Sequence, residues 1–149
     1  MGVGGNCRLY QELRERQGLI YAAYTVRAEH EDAGHYSVYT ATDPAKVEQV
    51  IEGILAEIRR LQEEPVSKAE LAAAKTNYEG SLAVSFETNL KLAGILGVET
   101  LLTGEFEPFA ESVRRVRAAT QDDILNVANQ HLDTDRYAIA MVGQKPLQQ

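Results

Sequence analysis

Arg14 and Tyr21 are the two side chains of this sequence whose types and spacing best suit chemistry. They lie seven residues apart on either side of Gly18, across a turn from a short helix into a strand. A guanidinium and a phenol hydroxyl in such positions could project into one region of space. Two hydrogen-bond donors aimed together at a developing oxyanion stabilise it electrostatically. The residue types alone also fit a solvated cation at a helix end and an ordinary strand aromatic.

The helix that must carry Arg14 is short and has recognisable ends. Asn6 is a suitable N-terminal cap, and Leu9 and Leu13 lie one helical turn apart. Gly18 suits the C-terminal end of this helix, because glycine adopts positive φ without a steric penalty. The residues that follow, 19–30, are rich in Tyr, Ile, Val and Thr and are predicted to form the strand that carries Tyr21.

Other residues that could bind a metal ion or a phosphate occur in less specific patterns. His30 and His35 flank an acidic hairpin, and their spacing does not fit the helical H-E-x-x-H zinc motif. We interpret this hairpin as solvated and expect no metal site in the chain. His131 stands alone near a helix end, where its charge would favour the helix dipole. Gly4 and Gly5 are followed by no Lys-Ser/Thr pair and therefore predict a flexible loop rather than a phosphate loop.

The remaining elements follow from periodicity and capping residues. A second strand is predicted over 35–42, and a clean amphipathic helix extends from Pro44 to Glu63. Further helices are predicted over 67–86, 88–102, 108–117 and 120–132, with capping boxes at Ser67–Glu70 and Thr120–Asp123. A last strand is expected from Arg136 to Val142, followed by a loose tail over 144–149. Strands first, then a helical block and a closing strand, indicate an α+β fold.

Composition excludes several classes of partner. The 149 residues suffice for one domain, and the net charge of −7 without a basic stripe argues against nucleic acid. No apolar run approaches the ~20 residues of a membrane span, so no membrane partner is expected. Cys7 is the only cysteine, which excludes an internal disulfide and fits a reducing, cytoplasmic location.

The segment from Gly4 to Thr25 resembles a known family. Its pattern is similar to the recognisable part of the non-catalytic half domain of inverted-zincin peptidases, the family of pitrilysin, insulin-degrading enzyme and mitochondrial processing peptidase. The residues that carry the resemblance are Gly4, Gly5, Arg8, Leu9, Tyr10, Glu12, Leu13, Arg14, Gly18, Leu19 and Tyr21. The sequence departs from the family by having Asn6 and Cys7 where two serines are common.

The resemblance implies a fold and a role for the chain. It implies an antiparallel sheet covered on one side by helices, with residues 1–143 forming a partial C-terminal domain. Family members bind zinc through H-x-x-E-H, which is absent here, so no catalytic residue is expected in this chain. Zinc is then expected in a partner domain or subunit. Arg14 and Tyr21 would be partly exposed and would donate hydrogen bonds to a substrate carbonyl.

The resemblance also implies partners, and it leaves alternatives open. The first hypothesis is the substrate-chamber domain of a zinc metalloendopeptidase that acts on peptides or unfolded protein segments. The second is a non-catalytic structural or assembly homologue, as in the family's respiratory-complex core subunits, and the third is a stand-alone peptide-binding module. Because a partial domain leaves strand edges and apolar helix faces uncovered, self-association of the chain is also expected.

Overall fold

The computed structural model describes residues 7–143, which combine helices with one antiparallel sheet and confirm the α+β prediction. A π-helix, Tyr10–Arg16, precedes strands β1 (Ile20–Glu29) and β2 (Gly34–Thr42) and a 3₁₀ turn, Pro44–Lys46. The helices are α1 (Val47–Glu63), α2 (Lys68–Ser85), α3 (Asn89–Thr103), α4 (Phe109–Ala118) and α5 (Gln121–His131). None of the helices in this part of the chain has the length and apolar content that a membrane crossing requires. Two compact units can be distinguished, residues 64–127 and the described residues on either side of them.

In the first unit, β1 and β2 form a hairpin with one partly buried face. Ala23 and Val38 pack against a core built from the π-helix, β1 and α1. The buried members of that core are Cys7, Leu9, Leu13, Ile20 and Val50. The sheet is therefore covered by helices on one side, as predicted.

The sequence predicts the amphipathic helix from Pro44, and the structure forms the 3₁₀ turn Pro44–Lys46 there before α1 begins at Val47. The Asp43 side chain accepts a hydrogen bond from the Ala45 amide at 2.8 Å, and Pro44 occupies the first turn. Val50 lies in the core, as expected for the apolar stripe. Glu57 is also buried, at 5% exposure, and its Oε1 contacts Nη1 of Arg60 at 3.3 Å. The buried face of α1 thus includes one carboxylate that the aliphatic pattern does not predict.

In the second unit, helix caps confirm the predicted boundaries. The Ser67 hydroxyl accepts from the Glu70 amide at 3.1 Å, and Thr88 caps α3 in the same manner. Thr120 and Asp123 form a reciprocal capping box: Asp123 Oδ2 accepts from the Thr120 amide at 2.8 Å, and the Asp123 amide donates back to Thr120 Oγ1. Gly104 ends α3 with φ of 78°.

Two contacts within the second unit involve α2. The Phe86 and Phe109 rings meet edge to face, with centroids 5.3 Å apart. Arg117 of α4 donates two hydrogen bonds to the Glu79 carboxylate, at 2.7 and 2.8 Å. This bidentate pair fixes the orientation of the guanidinium as well as its distance.

The predicted last strand is wrong. Residues 136–142 form no strand among the described residues, and Tyr137, Ile139 and Val142 are exposed. Strand propensity is expressed only when a neighbouring strand supplies hydrogen-bond partners, and β1 and β2 pair with each other. The predicted cap Asn6, the loop at Gly4 and Gly5, and the tail 144–149 lie outside the described residues.

Candidate functional site

The π-helix determines where Arg14 lies. Backbone hydrogen bonds that span five or six residues continue from this helix into the turn that follows it. The Gln17 amide donates to the Glu12 carbonyl at 3.2 Å, and the Leu19 amide donates to the Leu13 carbonyl at 2.7 Å. Gly18 lies between them with φ of 63°, as predicted. Short π-helical segments are frequent at functional sites in proteins. Because Leu13 is fully buried in the core, the next residue, Arg14, is held at the surface.

Side-chain contacts stabilise the end of this helix. Glu12 accepts hydrogen bonds from Gln17 Nε2 and Arg16 Nη1, each at 2.9 Å. The hydrogen bond from Gln17, with a smaller contribution from the charge of Arg16, lowers the pKa of Glu12 below its ordinary value. Glu12 is therefore ionised at neutral pH, and Arg16 is engaged on the helix itself.

A β-bulge determines where Tyr21 lies. Ile20 is opposite Thr42 and Ala22 is opposite Ala41, so Tyr21 has no counterpart in the ladder. Such an extra residue bends its strand and redirects its side chain. The Tyr21 side chain is 68% exposed.

Arg14 and Tyr21 meet through the backbone of the bulge. Nη1 of Arg14 donates a hydrogen bond to the Tyr21 carbonyl at 2.6 Å. The guanidinium carbon also lies 4.8 Å from the centre of the Tyr10 ring, a cation–π distance. Both Arg14 and Tyr21 are exposed, as the sequence predicts. The π-helix and the bulge thus bring the two residues to one place on the surface.

The sheet face opposite the core carries further aromatic groups. Tyr24 and Tyr39 are cross-strand partners whose rings stack with centroids 4.5 Å apart and 23° between their planes. Both rings remain about half exposed, and Val26 beside them is exposed as well. The sequence analysis did not single out this pair or Tyr10. The register of the hairpin, once known, identifies Tyr24 and Tyr39 as neighbours.

The two hairpin histidines are close together without forming a metal centre. The His30 and His35 ring centroids are 6.3 Å apart, and the His30 amide donates to the Ala33 carbonyl in the turn between them. Within residues 7–143 no group of three or more His, Cys, Asp or Glu side chains could hold a metal ion. His131 lies at the exposed C-terminal end of α5. The described residues therefore do not fit a zinc site.

Comparison with known proteins identifies the family. Residues 1–78 match the family model described as the peptidase M16 inactive domain, which is more than half of the chain. The chain belongs to this family, and the predicted resemblance is confirmed. It is an inactive-domain sequence of a zinc protease family.

The relatives are considerably longer than this chain. An uncharacterized zinc protease of Bacillus subtilis, YmxG, is 28% identical over 143 residues, which are 96% of this chain and 35% of that protein. Among solved structures, a protease from Helicobacter pylori superposes with a TM-score of 0.77 at 19% identity, over 90% of this chain and 32% of that one. A chain of complex III2 from Candida albicans gives a TM-score of 0.75 at 20% identity, over 83% of this chain and 29% of that one. The chain thus spans about a third of the length of the curated relatives it matches.

Proposed function

We propose that this chain is the substrate-chamber domain of a zinc metalloendopeptidase that acts on peptides or unfolded protein segments. Arg14 and Tyr21 are the substrate-binding residues in this proposal. The observation that carries it is the hydrogen bond from Arg14 to the Tyr21 carbonyl, which joins a cation and a bulged, exposed tyrosine at one point of the surface.

The chemistry of the two side chains supports hydrogen bonding to a substrate carbonyl. A guanidinium has five N–H donors, and the contact with the Tyr21 carbonyl uses Nη1 alone. The guanidinium carbon lies over the Tyr10 ring, at 4.8 Å from its centre. Tyr21 adds an O–H donor on an exposed side chain. Two such donors on one part of the surface can stabilise negative charge that develops on a peptide carbonyl oxygen.

The exposed side of the hairpin supports binding of an extended chain. The Tyr24–Tyr39 pair and Val26 offer apolar and aromatic contacts to side chains of a peptide. Within the described residues β1 and β2 have no other strand beside them, so each has a free edge. A peptide that adds to such an edge gains main-chain hydrogen bonds that do not depend on its sequence.

The proposal assigns zinc to a different domain or to a partner subunit. The residues described here supply no ligand set, so the metal-activated water must come from that partner. This chain would contribute binding and orientation of the substrate and hydrogen bonds to the developing oxyanion, and no nucleophilic attack or proton transfer is assigned to its side chains.

The second candidate is a structural or assembly homologue without proteolysis. The likeness to a chain of complex III2 from Candida albicans is the observation that favours it, since the fold occurs in that assembly. The presence of H-x-x-E-H in the full gene or in an adjacent gene would favour the peptidase.

Reconstitution with the zinc-bearing polypeptide separates the two candidates. That polypeptide is assayed on fluorogenic peptides with and without this chain, or the full gene product is assayed if one gene encodes both. We expect cleavage that requires both parts and stops when zinc is removed by a chelator. A zinc-loaded assembly that cleaves neither peptides nor unfolded proteins would contradict the proposal and favour the structural role.

Two further parts of the proposal concern location and association. We place the protein in the cytoplasm, on the support of its single, buried and unpaired Cys7. Cell fractionation that finds it in an oxidising compartment would contradict this. We also expect the chain to self-associate, because uncovered strand edges and exposed apolar faces tend to bind other chains.

A further inference from the structure

Two cations bind backbone carbonyls of the turn between the π-helix and β1. Nη1 of Arg14 donates to the Tyr21 carbonyl at 2.6 Å, and Nζ of Lys46, in the 3₁₀ turn before α1, donates to the Gly18 carbonyl at 2.9 Å. The carbonyls at the end of the π-helix accept backbone amides instead, so the two cations do not serve as its C-terminal caps. Arg14 and Lys46 therefore lie beside the same turn, at one end of the hairpin.

Neither cation has a carboxylate partner among the described residues, although acidic residues outnumber basic ones in the sequence, 22 to 15. Glu15 adjoins Arg14 on the helix, where consecutive side chains do not face each other. Asp43, three residues before Lys46, accepts the Ala45 amide at 2.8 Å. Other arginines of the same unit are paired with glutamates: Arg16–Glu12, Arg27–Glu29 and Arg60–Glu57. Two positive charges are therefore uncompensated beside the turn.

Both side chains retain hydrogen-bond donors. An ammonium group has three N–H donors and a guanidinium has five, and each cation uses one nitrogen for its backbone carbonyl. These contacts fix where each cation lies without neutralising its charge. A side chain that is already held in place loses less conformational entropy when it binds an anion. The turn thus presents two positioned cations to a ligand.

We propose that Lys46 determines specificity by binding a carboxylate of the same peptide whose carbonyl is bound by Arg14 and Tyr21. The inference rests on the proposed function and adds the substrate class. Gly18 and Tyr21 span three residues of chain, at most ~11 Å when extended, so the two cations lie on the order of 10 Å apart. An extended peptide covers that distance with about three residues. The carboxylate is therefore expected about two to four residues from the bound carbonyl, as an Asp or Glu side chain or as the C-terminus.

The charge beside the turn selects the chemistry of the ligand. Hydrogen bonds between charged groups are about twice as strong as neutral ones, so Lys46 favours a carboxylate over a second peptide carbonyl. A lysine or arginine of the peptide would be repelled by two uncompensated cations. The net charge of −7 would by itself favour basic peptides, so a preference for acidic peptides must come from local cations.

Fluorescence anisotropy with matched peptides tests the inference. The protein is the full gene product, or the assembly of this chain with the zinc-bearing polypeptide, freed of zinc by a chelator so that no peptide is cleaved. The probes are fluorescein-labelled peptides of Ala, Ser and Gly that end in a carboxylate, end in an amide, or end in an amide and carry one internal glutamate at successive positions. We expect the wild type to bind a carboxylate-bearing peptide about fivefold more tightly than the neutral amide, the upper end of what an exposed ion pair contributes. The peptide that gains affinity identifies the source of the carboxylate.

Substitutions at Lys46 separate specificity from structure. Lys46→Gln should remove the preference for the carboxylate, and Lys46→Arg should retain it. Lys75→Gln is the matched control, because Nζ of Lys75 also donates to a backbone carbonyl, that of Arg117, at 2.8 Å in the second unit. A lysine that only held Gly18 in place would change the affinity for all peptides equally, so the ratio of the dissociation constants reports the carboxylate contact alone.

The inference and the proposed function fail in different ways. Equal binding of carboxylate and amide peptides by the wild type, or a preference that Lys46→Gln leaves intact, would overturn the inference alone. The proposed function fails if Arg14→Ala and Tyr21→Phe bind and cleave every peptide as the wild type does. A wild type that binds none of the peptides would overturn both. Thermal melts identify unfolded variants, and if Lys46→Gln does not fold, the preference of the wild type and of Lys46→Arg still decides.

Discussion

Replacing Gly53 with alanine tests how closely the π-helix packs against α1. An ideal Cβ at Gly53 would lie far inside van der Waals contact with Cδ2 of Leu13, and Leu13 is fully buried in the core. The Leu13 side chain would have to shift within the core, and forcing an extra methyl into a packed core costs ~1–3 kcal/mol. The gain in helix propensity from glycine to alanine, ~0.8–1 kcal/mol, offsets part of this. Because Arg14 follows Leu13, the displacement should also disturb the contact with Tyr21.

Gly80→Ala is the matched control for this substitution. Gly80 lies inside α2, and an added Cβ there meets no atom within 4 Å, so only the propensity gain applies. The free energy of unfolding should therefore be ~1–3 kcal/mol lower in Gly53→Ala than in Gly80→Ala. At ~2–4 °C per kcal/mol for a chain of this size, the midpoints should differ by ~2–12 °C.

Differential scanning calorimetry measures the two midpoints, and amide chemical shifts report the position of Arg14. Gly53→Ala should shift the Arg14 and Tyr21 amides, whereas Gly80→Ala should leave them in place. If Gly53→Ala stabilises the protein as much as Gly80→Ala does, Leu13 is not packed against α1 as described, and the placement of Arg14 loses its support.

Two other predictions concern pH and metal. The pKa of Glu79 lies below its ordinary value of 4.5 because Arg117 donates two hydrogen bonds to it. The stability from this pair is therefore present above about pH 4.5 and is lost as the pH falls through the lower folded-state pKa. Glu79→Gln should lower the melting temperature at neutral pH, and this effect should decrease as the pH falls through the acidic range. An effect that does not change with pH would contradict this. The chain by itself should contain no stoichiometric zinc and cleave no peptide, and elemental analysis that finds one tightly bound zinc per chain would refute that.

Elements that depend on neighbouring residues could be predicted from the sequence. Helix ends and amphipathic patterns depend on residues within one or two helical turns of each other, so the local sequence is enough to predict them. Examples are the caps at Ser67 and Thr120, the helix end at Gly18 and the apolar stripe of α1. The hairpin was predictable for the same reason, because its strands are joined by a short polar turn.

Features that depend on distant partners could not be predicted. The 136–142 segment has strand propensity but no strand beside it among residues 7–143, and no local pattern reveals that. The burial of Glu57 depends on the surroundings of α1 and is not apparent from its spacing among the aliphatic residues.

Spacing and family resemblance select Arg14 and Tyr21 as candidate site residues, and their role in binding substrate stays a prediction. The sequence does not indicate the π-helix, the bulge at Tyr21 or the use of the Tyr21 carbonyl as the acceptor for Arg14. These features arise where helix and strand meet, because the buried Leu13 and Ile20 determine how the helix end and the start of β1 approach each other.

The most direct test of the central claim is the kcat/KM of the zinc-loaded peptidase with substitutions at the two proposed donors. Arg14→Ala and Tyr21→Phe should each lower kcat/KM by about 10²–10³-fold, because loss of one oxyanion donor lowers kcat by that factor in other enzymes and lowers kcat/KM equally. The controls are Arg16→Ala and Tyr78→Phe, and their kcat/KM should remain close to the wild-type value. Arg16 is a cation that binds Glu12 on the same helix, and Tyr78 is an exposed tyrosine of α2. Wild-type kinetics in both donor variants, with folding intact, would contradict the role of Arg14 and Tyr21 in binding the substrate.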